Sequence, residues 1–382
     1  MGSSLLRALG LAGAATSLAA ATASAPAAHA MPAAAQPGWS ISKILSEKNY
    51  DTLLTVTGAG RHDAWAFGQT SSGKAVAVHW NGSTWTRSRI PGAFAQPGFS
   101  SATGPDNVWA GGSECTSGPL GTGTTATYVA RYNGRSWITR RWTTAAFCTA
   151  ALVTTGPENG WLLGSSRAWH FAGGRWHKIS LPVLGQVISA TAVSASDIWT
   201  IGGRFNALRV SKSSAFFTHY DGHVWRTVSL PHIKLPKHGY IYPYDVAAAS
   251  ARSIWAAVTV YPAAAHSYLL HFGGRKWRAI PLPASPDQLL QVAPDGSGGV
   301  WAVMVRPTSG EYAFAHYVHG AWTYDAVPTA GLPGLVPGSA SFDVYGLARI
   351  PGTQSMLATG DVFYSNAKNA SITDSLIFRY ER

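Results

Sequence analysis

The sequence predicts an all-β fold, a seven-bladed β-propeller closed by pairing of its N-terminal strand with the C-terminal blade. Three observations predict it. Tryptophans recur at Trp39, Trp85, Trp137, Trp176, Trp225, Trp277 and Trp322, at intervals of 39 to 52 residues. A period of about 40–50 residues with turn signals inside each unit is the spacing of propeller blades. Six of the seven are preceded by a basic residue at minus six and an aromatic one at minus five: His79-Trp80, Arg131-Tyr132, His170-Phe171, His219-Tyr220, His271-Phe272 and His316-Tyr317. Gly and Pro recur every few residues and periodic apolar runs are short, which argues for strands and against helices.

Each unit divides into four strands. The first is small and β-branched, as in Thr52–Thr57 and Val187–Val193, and suits the crowded position nearest the axis. The second carries a further tryptophan, at Trp65, Trp109, Trp161, Trp199, Trp255 and Trp301; Met356–Gly360 is a worn seventh copy. The polar residue ahead of it (Asp63, Asn107, Asn159, Asp197 or Ser253) reads as a turn residue rather than a catalytic acid, because it recurs by structural position. The third strand ends in the basic-aromatic pair. Asn81-Gly82, Asn133-Gly134 and Asp221-Gly222 then predict tight hairpins with positive φ. The fourth strand opens at the repeated tryptophan and closes at Pro91, Pro182, Pro231, Pro283 or Pro328, where an edge tolerates proline. Both tryptophans of a unit are expected to pack between neighbouring sheets.

The seventh unit is split. Phe378-Arg379-Tyr380 repeats the basic-aromatic pair, but the chain stops at Arg382, before a tryptophan can follow. Trp39 has no such pair before it. Trp39–Ile44 therefore reads as the outer strand of the last blade, which also removes exposed sheet edges. Eight blades is the nearest alternative count, then six.

Residues 1–30 read as a secretory signal, with Arg7 its one charge, an Ala/Leu-rich run and an Ala28-His29-Ala30 cleavage site; residues 31–382 are assigned to the propeller. The remainder holds no apolar run long enough for a membrane span. Cys115 and Cys148, the only cysteines, are expected to form one disulfide in an oxidising exterior, with two free thiols as the alternative. Net charge is +12, or +11 without Arg7. Such a balance favours polyanions: teichoic acids, acidic glycans, extracellular nucleic acid or anionic lipid headgroups. A monomer is expected.

The repeated Asp-x-Trp-Ala and His-aromatic-Asn-Gly-x-x-Trp segments resemble the tryptophan-rich propeller repeats of secreted actinobacterial proteins. Those are related loosely to kelch/galactose-oxidase and Asp-box (sialidase-like) propellers. The resemblance covers nearly all of residues 31–382 and implies a propeller, not an activity. An Asp-box places its Asp two residues before the Gly of Gly-x-x-Trp, where this chain has Trp80, Tyr132 and Tyr220. A copper site of galactose-oxidase type would need a cysteine-modified tyrosine. No nucleophile elbow, His-Glu-x-x-His, phosphate loop or Cys-x-x-Cys occurs. With 17 acidic residues, several at turn positions, few carboxylates remain for a glycosidase pair. No catalytic residue, metal or cofactor is assigned. The repeated histidines are spread over different blades, too far apart for one metal ion, and are expected to bond backbone or a turn.

Function is therefore placed on loops carried by a rigid ring. Residues 203–212 supply Arg204, Arg209 and Lys212. Residues 232–244 supply Lys234, Lys237, His238, Tyr240, Tyr242 and Tyr244, and residues 361–369 form a third polar and aromatic insertion. Cations meet anionic groups and tyrosines stack on sugar rings. The expected function is non-enzymatic binding of an anionic polysaccharide or cell-wall polymer. A polysaccharide-active glycosidase or lyase is the alternative, and a protein-interaction scaffold the third.

Overall fold

A computed structural model describes residues 37–46, 51–92, 97–114, 124–145, 149–165, 167–204, 213–261, 266–283, 287–368 and 370–382. Among these, twenty-eight strands form seven four-stranded antiparallel sheets. No helix of the described residues is long and apolar enough to cross a membrane. In blades 1 to 6 the strands run outward in chain order. The inner strands are Asp51–Gly60, Phe99–Gly104, Thr149–Gly156, Gln186–Ser194, Tyr240–Ser250 and Gln288–Pro294. Blade 7 runs Ser341–Arg349, Met356–Ser365, Ser371–Glu381 and, outermost, Gly38–Leu45. The pairing Trp39↔Tyr380 through Leu45↔Ser375 closes the ring as the split seventh unit predicts.

Tryptophan packing makes the seams. Each second-strand tryptophan is nearly inaccessible, from Trp109 at 0% to Trp199 at 4% exposure. Five of the six meet the outer-strand tryptophan of the next blade edge to face: Trp65–Trp137 at 5.1 Å and 90°, Trp109–Trp176 at 6.0 Å and 75°, Trp161–Trp225 at 5.5 Å and 82°, Trp199–Trp277 at 5.9 Å and 77°, Trp301–Trp39 at 5.5 Å and 89°. This geometry sets the positive ring edge against the negative face. At the worn copy Leu357 takes the tryptophan's place and packs with Leu45, Trp85 and Ile377. Here Arg379 lays its guanidinium 4.7 Å over Trp80.

The repeated histidines are satisfied inside their own blades. His79, His170, His219, His271 and His316 stack flat on the second-strand tryptophans at 3.8–4.3 Å. His79 donates to Asp63 at 2.8 Å and His219 to Asp197 at 2.8 Å, while Trp65 and Trp199 donate their indole N–H to the same carboxylates. The turn position thus serves the aromatic pair as well as the turn. Blade 6 lacks an acid two residues before Trp301. There Asp295, six residues ahead, accepts from His316 at 2.9 Å and from the Ser297 and Gly299 N–H groups. These bonds hold its carboxyl below the usual range, against a burial that acts the other way. Among the described residues no group of three His, Cys, Asp or Glu stands close enough to hold a metal ion.

The hairpins differ from the expected form. In blades 1, 2 and 4 the connection is four residues long, and only its glycine has positive φ: Gly82 97°, Gly134 86°, Gly222 91°. Asn81, Asn133 and Asp221 instead use a side-chain oxygen to accept the N–H groups two and three residues on. Two-residue turns with both φ positive occur in blades 3 and 6, at Gly173-Gly174 and His319-Gly320.

Candidate functional site

The seven inner strands surround a channel of about 600 Å³. In six of them one extra residue is inserted at the same height: Leu54, Ala150, Ile188, Tyr244, Leu290 and Tyr345. A bulge re-aims side chains, and all six line the channel. Its walls are small and mostly uncharged. Asp245 is the one ionisable carboxylate among the lining residues, and none of them is Lys, Arg or His.

Asp245 ties three blades together. One oxygen accepts Ser189 Oγ of blade 4 at 2.5 Å and its own following N–H at Val246; the other accepts the Val292 N–H of blade 6 at 2.9 Å. Burial pushes its carboxyl up to about 6, against those lowering bonds. A carboxyl raised in the folded state adds stability that is complete below the unfolded value of about 4 and lost as pH rises through about 6. The margin of the parent over Asp245→Asn in melting temperature is therefore expected to be larger near pH 4 than near pH 7. A margin independent of pH would show that Asp245 does not titrate in this range.

At the end of the channel where inner strands begin and second strands finish, blade 5 carries a tyrosine cluster. Tyr240 and Tyr261 stack at 5.5 Å and 19°, and Tyr242 lies 5.0 Å from Tyr244. The Tyr244 hydroxyl meets that of Tyr261 at 2.9 Å and donates to Gln288 of blade 6 at 3.3 Å; Gln288 Nε2 donates to Tyr261 at 2.7 Å. Burial, then the Tyr261 hydrogen bond, raises the Tyr244 phenol well above the usual range. Tyr240, Tyr242 and Tyr261 stay partly exposed.

The residues singled out in sequence divide in three. Lys234, Lys237 and His238 are exposed on the connection from blade 4 to blade 5, which Ile233 anchors in the seam and a Gly239 N–H to Pro236 O bond turns back. His238 takes a positive φ of 63° there. Tyr240, Tyr242 and Tyr244 are not loop residues; they begin the inner strand Tyr240–Ser250, which pairs with the second strand from Tyr240↔Tyr261 onward. Arg204 ends a second strand and is exposed. Arg209 and Lys212, like Cys115 and Cys148, lie outside the described residues. The insertion at 361–369 is also largely strand, since Met356–Ser365 continues through it.

An acidic neighbourhood on blade 7 escaped the sequence reading. Asp343 and Asp361 are cross-strand partners. Asp343 accepts the Tyr345 hydroxyl at 3.3 Å, Asp361 accepts Ser375 Oγ at 2.6 Å, and Tyr364 donates to Asp374 at 3.3 Å. Burial pushes Asp361 up to about 6, but at 5% exposure it is enclosed by its own sheet. Counting the inner strands back two residues from each bulge would have found the mouth: it gives Thr52, Gln186, Tyr242, Gln288 and Asp343 on five successive blades.

No protein-family model matches the chain, and no curated protein matches it. Solved structures do match. YCF48 from Cyanidioschyzon merolae is similar with a TM-score of 0.55 and 12% identity, over 90% of this chain and 98% of its own. The GH74 xyloglucanase from Xanthomonas campestris gives 0.55 and 15%, over 88% of this chain but 55% of its own, so this chain spans about half of that enzyme. The β-propeller domain of the Trilobed protease from Pyrococcus furiosus gives 0.51 and 8%, over 86% and 93%. At these identities the likeness is one of fold, and the protein is a seven-bladed β-propeller.

Proposed function

We propose that this propeller is an extracellular binding protein that holds an acidic glycan or cell-wall polymer across its channel mouth. The observation that carries the reading is the half-exposed cluster Tyr240, Tyr242, Tyr244 and Tyr261, braced by Gln288. Phenol faces offer stacking to sugar rings at low entropic cost, and the bracing keeps them in place. Lys234 and Lys237, on the connection that leads into Tyr240, supply charge for acidic groups. The secretory leader, the +11 balance and the resemblance of the repeats to secreted tryptophan-rich propellers support an exterior location. The uncharged small-residue wall with its lone acid speaks for a polymer lying over the mouth rather than an anion entering the channel.

A glycan array followed by salt titration on the best acidic polymer tests this. Lys234→Ala with Lys237→Ala is expected to weaken binding a few-fold to about tenfold and to flatten its salt dependence. Tyr242→Ala is expected to weaken binding by about tenfold, roughly 1.4 kcal/mol, with the salt slope kept, since the change removes a ring face and no charge. Binding that ignores salt in the parent would remove the polyanion reading. Turnover of a polysaccharide, lost in Asp343→Asn, would replace it with an enzymatic one.

A further inference from the structure

We propose a second binding site, on the circumference of the ring between blades 2 and 3, that takes a sugar ring bearing a carboxylate. It lies at the opposite end of the strands from the tyrosine mouth and does not rest on that reading. An opening of about 230 Å³ is lined there by Arg131, Ile138, Arg140, Glu158, Phe171 and Trp176, among others.

The seam is open because blade 2 departs from the packing of blades 1, 3, 4, 5 and 7; blade 6, with the half-buried Asp325 at the same position, departs in another way. Three residues after its tryptophan, an outer strand normally closes the gap to the next blade. Ser42 and Ser88 do so by accepting the next indole N–H, from Trp85 at 3.1 Å and Trp137 at 3.4 Å. Ile179, Val228 and Ile280 do so by packing into the seam clusters. Blade 2 has Arg140 at this position, exposed and without an ionic partner among the described residues. Two residues earlier, on the same face, Ile138 is 51% exposed. Across the gap Trp176 keeps part of its ring accessible.

The polar groups are held in place. Arg131 lies 4.7 Å over Trp109 and 4.5 Å over Phe171, donates to Glu158 at 3.1 Å and bonds the Pro157 carbonyl. A guanidinium fixed on two rings beside a carboxylate presents donors and an acceptor in a set geometry, which is what neighbouring hydroxyls of a sugar require. Trp176 and Ile138 offer apolar surface to the C–H face of such a ring. Glu158 balances Arg131, so Arg140 is the cation of this opening without an ionic partner among the described residues, and its planar fork matches a carboxylate in two parallel bonds. A pyranose carrying a carboxylate, the uronate type, fits these groups together.

The test is nuclear magnetic resonance titration of the intact protein with D-glucuronate and D-glucose, read at the Trp176 indole N–H and assigned with Trp176→Phe. Glucuronate is expected to shift that resonance saturably, about tenfold more tightly than glucose. Arg140→Ala, an exposed change outside the core, is expected to reduce glucuronate to the level of glucose, and Arg140→Lys to recover part of the difference. Tyr242→Ala is expected to leave the titration as in the parent. The proposal is overturned if glucuronate leaves the Trp176 resonance unmoved, if Arg140→Ala binds it like the parent, or if the response disappears in Tyr242→Ala.

Discussion

Removal of residues 37–45 is expected to lower the melting temperature by at least about 10 °C and to expose the edge of Ser371–Glu381. The strand contributes far more than backbone pairing. Trp39 stacks on Phe314 at 3.8 Å and meets Trp301 edge to face, and Ile41, Ile44 and Leu45 fill the two seams beside it. Burial of a large apolar side chain is worth roughly 1.5–3 kcal/mol, so the strand accounts for several kcal/mol of a marginal total. For a chain of this size about 1 kcal/mol moves the midpoint by a few degrees. The new edge also offers unpaired N–H and C=O groups to other chains, so the truncated protein is expected to aggregate sooner. Differential scanning calorimetry and light scattering read both effects. An unchanged melting curve would mean that the ring does not depend on its closing strand.

Trp301→Ala carries the second large effect. The indole is 2% exposed and touches His316 at 4.3 Å, Tyr380 at 4.7 Å and Trp39 at 5.5 Å. Truncating a buried tryptophan costs roughly 3–5 kcal/mol through lost burial and the cavity left behind. Because Trp301 and the closing strand share a seam, the truncation and Trp301→Ala together should cost less than the sum of the two. Urea denaturation of the four proteins measures this directly. Strict additivity would show that Trp301 stabilises blade 6 alone and has no part in closure.

Much of the architecture was legible in the chain because it rests on local rules repeated seven times. Period, turn chemistry and proline position each act within a few residues, so they can be read along the sequence, and the orphaned Trp39 matched the orphaned Phe378-Arg379-Tyr380 in the same way. The satisfied histidines were also anticipated. Their partner, the turn carboxylate two residues before the tryptophan, was recognised as a turn residue but not as the acceptor. In blade 6 that role passes to Asp295, where no repeat position marks it.

The mouth was legible only in part. Lys234, Lys237 and His238 were correctly placed on a long, exposed connection. Tyr240, Tyr242 and Tyr244 stood in the same run of residues and were read with it, although their alternation is that of a strand. The partner Tyr261 and the bracing Gln288 lie one strand and one blade away, and nothing in a linear reading joins them to Tyr244. Asp343 and Asp361 became neighbours only through strand pairing. The Arg140 seam was invisible for a different reason: its significance lies in how the corresponding residues of five other blades, Ser42, Ser88, Ile179, Val228 and Ile280, close the gap to the next blade.

By itself the sequence determined the all-β class, seven blades and closure by the first strand, because a repeated local pattern admits few ways of burying its tryptophans. Tertiary structure alone decided what stands around the channel and the seams. The six bulges set the height at which inner-strand side chains turn to the axis, and the ring brings together residues about fifty positions apart in the chain. A contact of that kind depends on register and on the neighbouring blade at once, so no single unit of the sequence contains it.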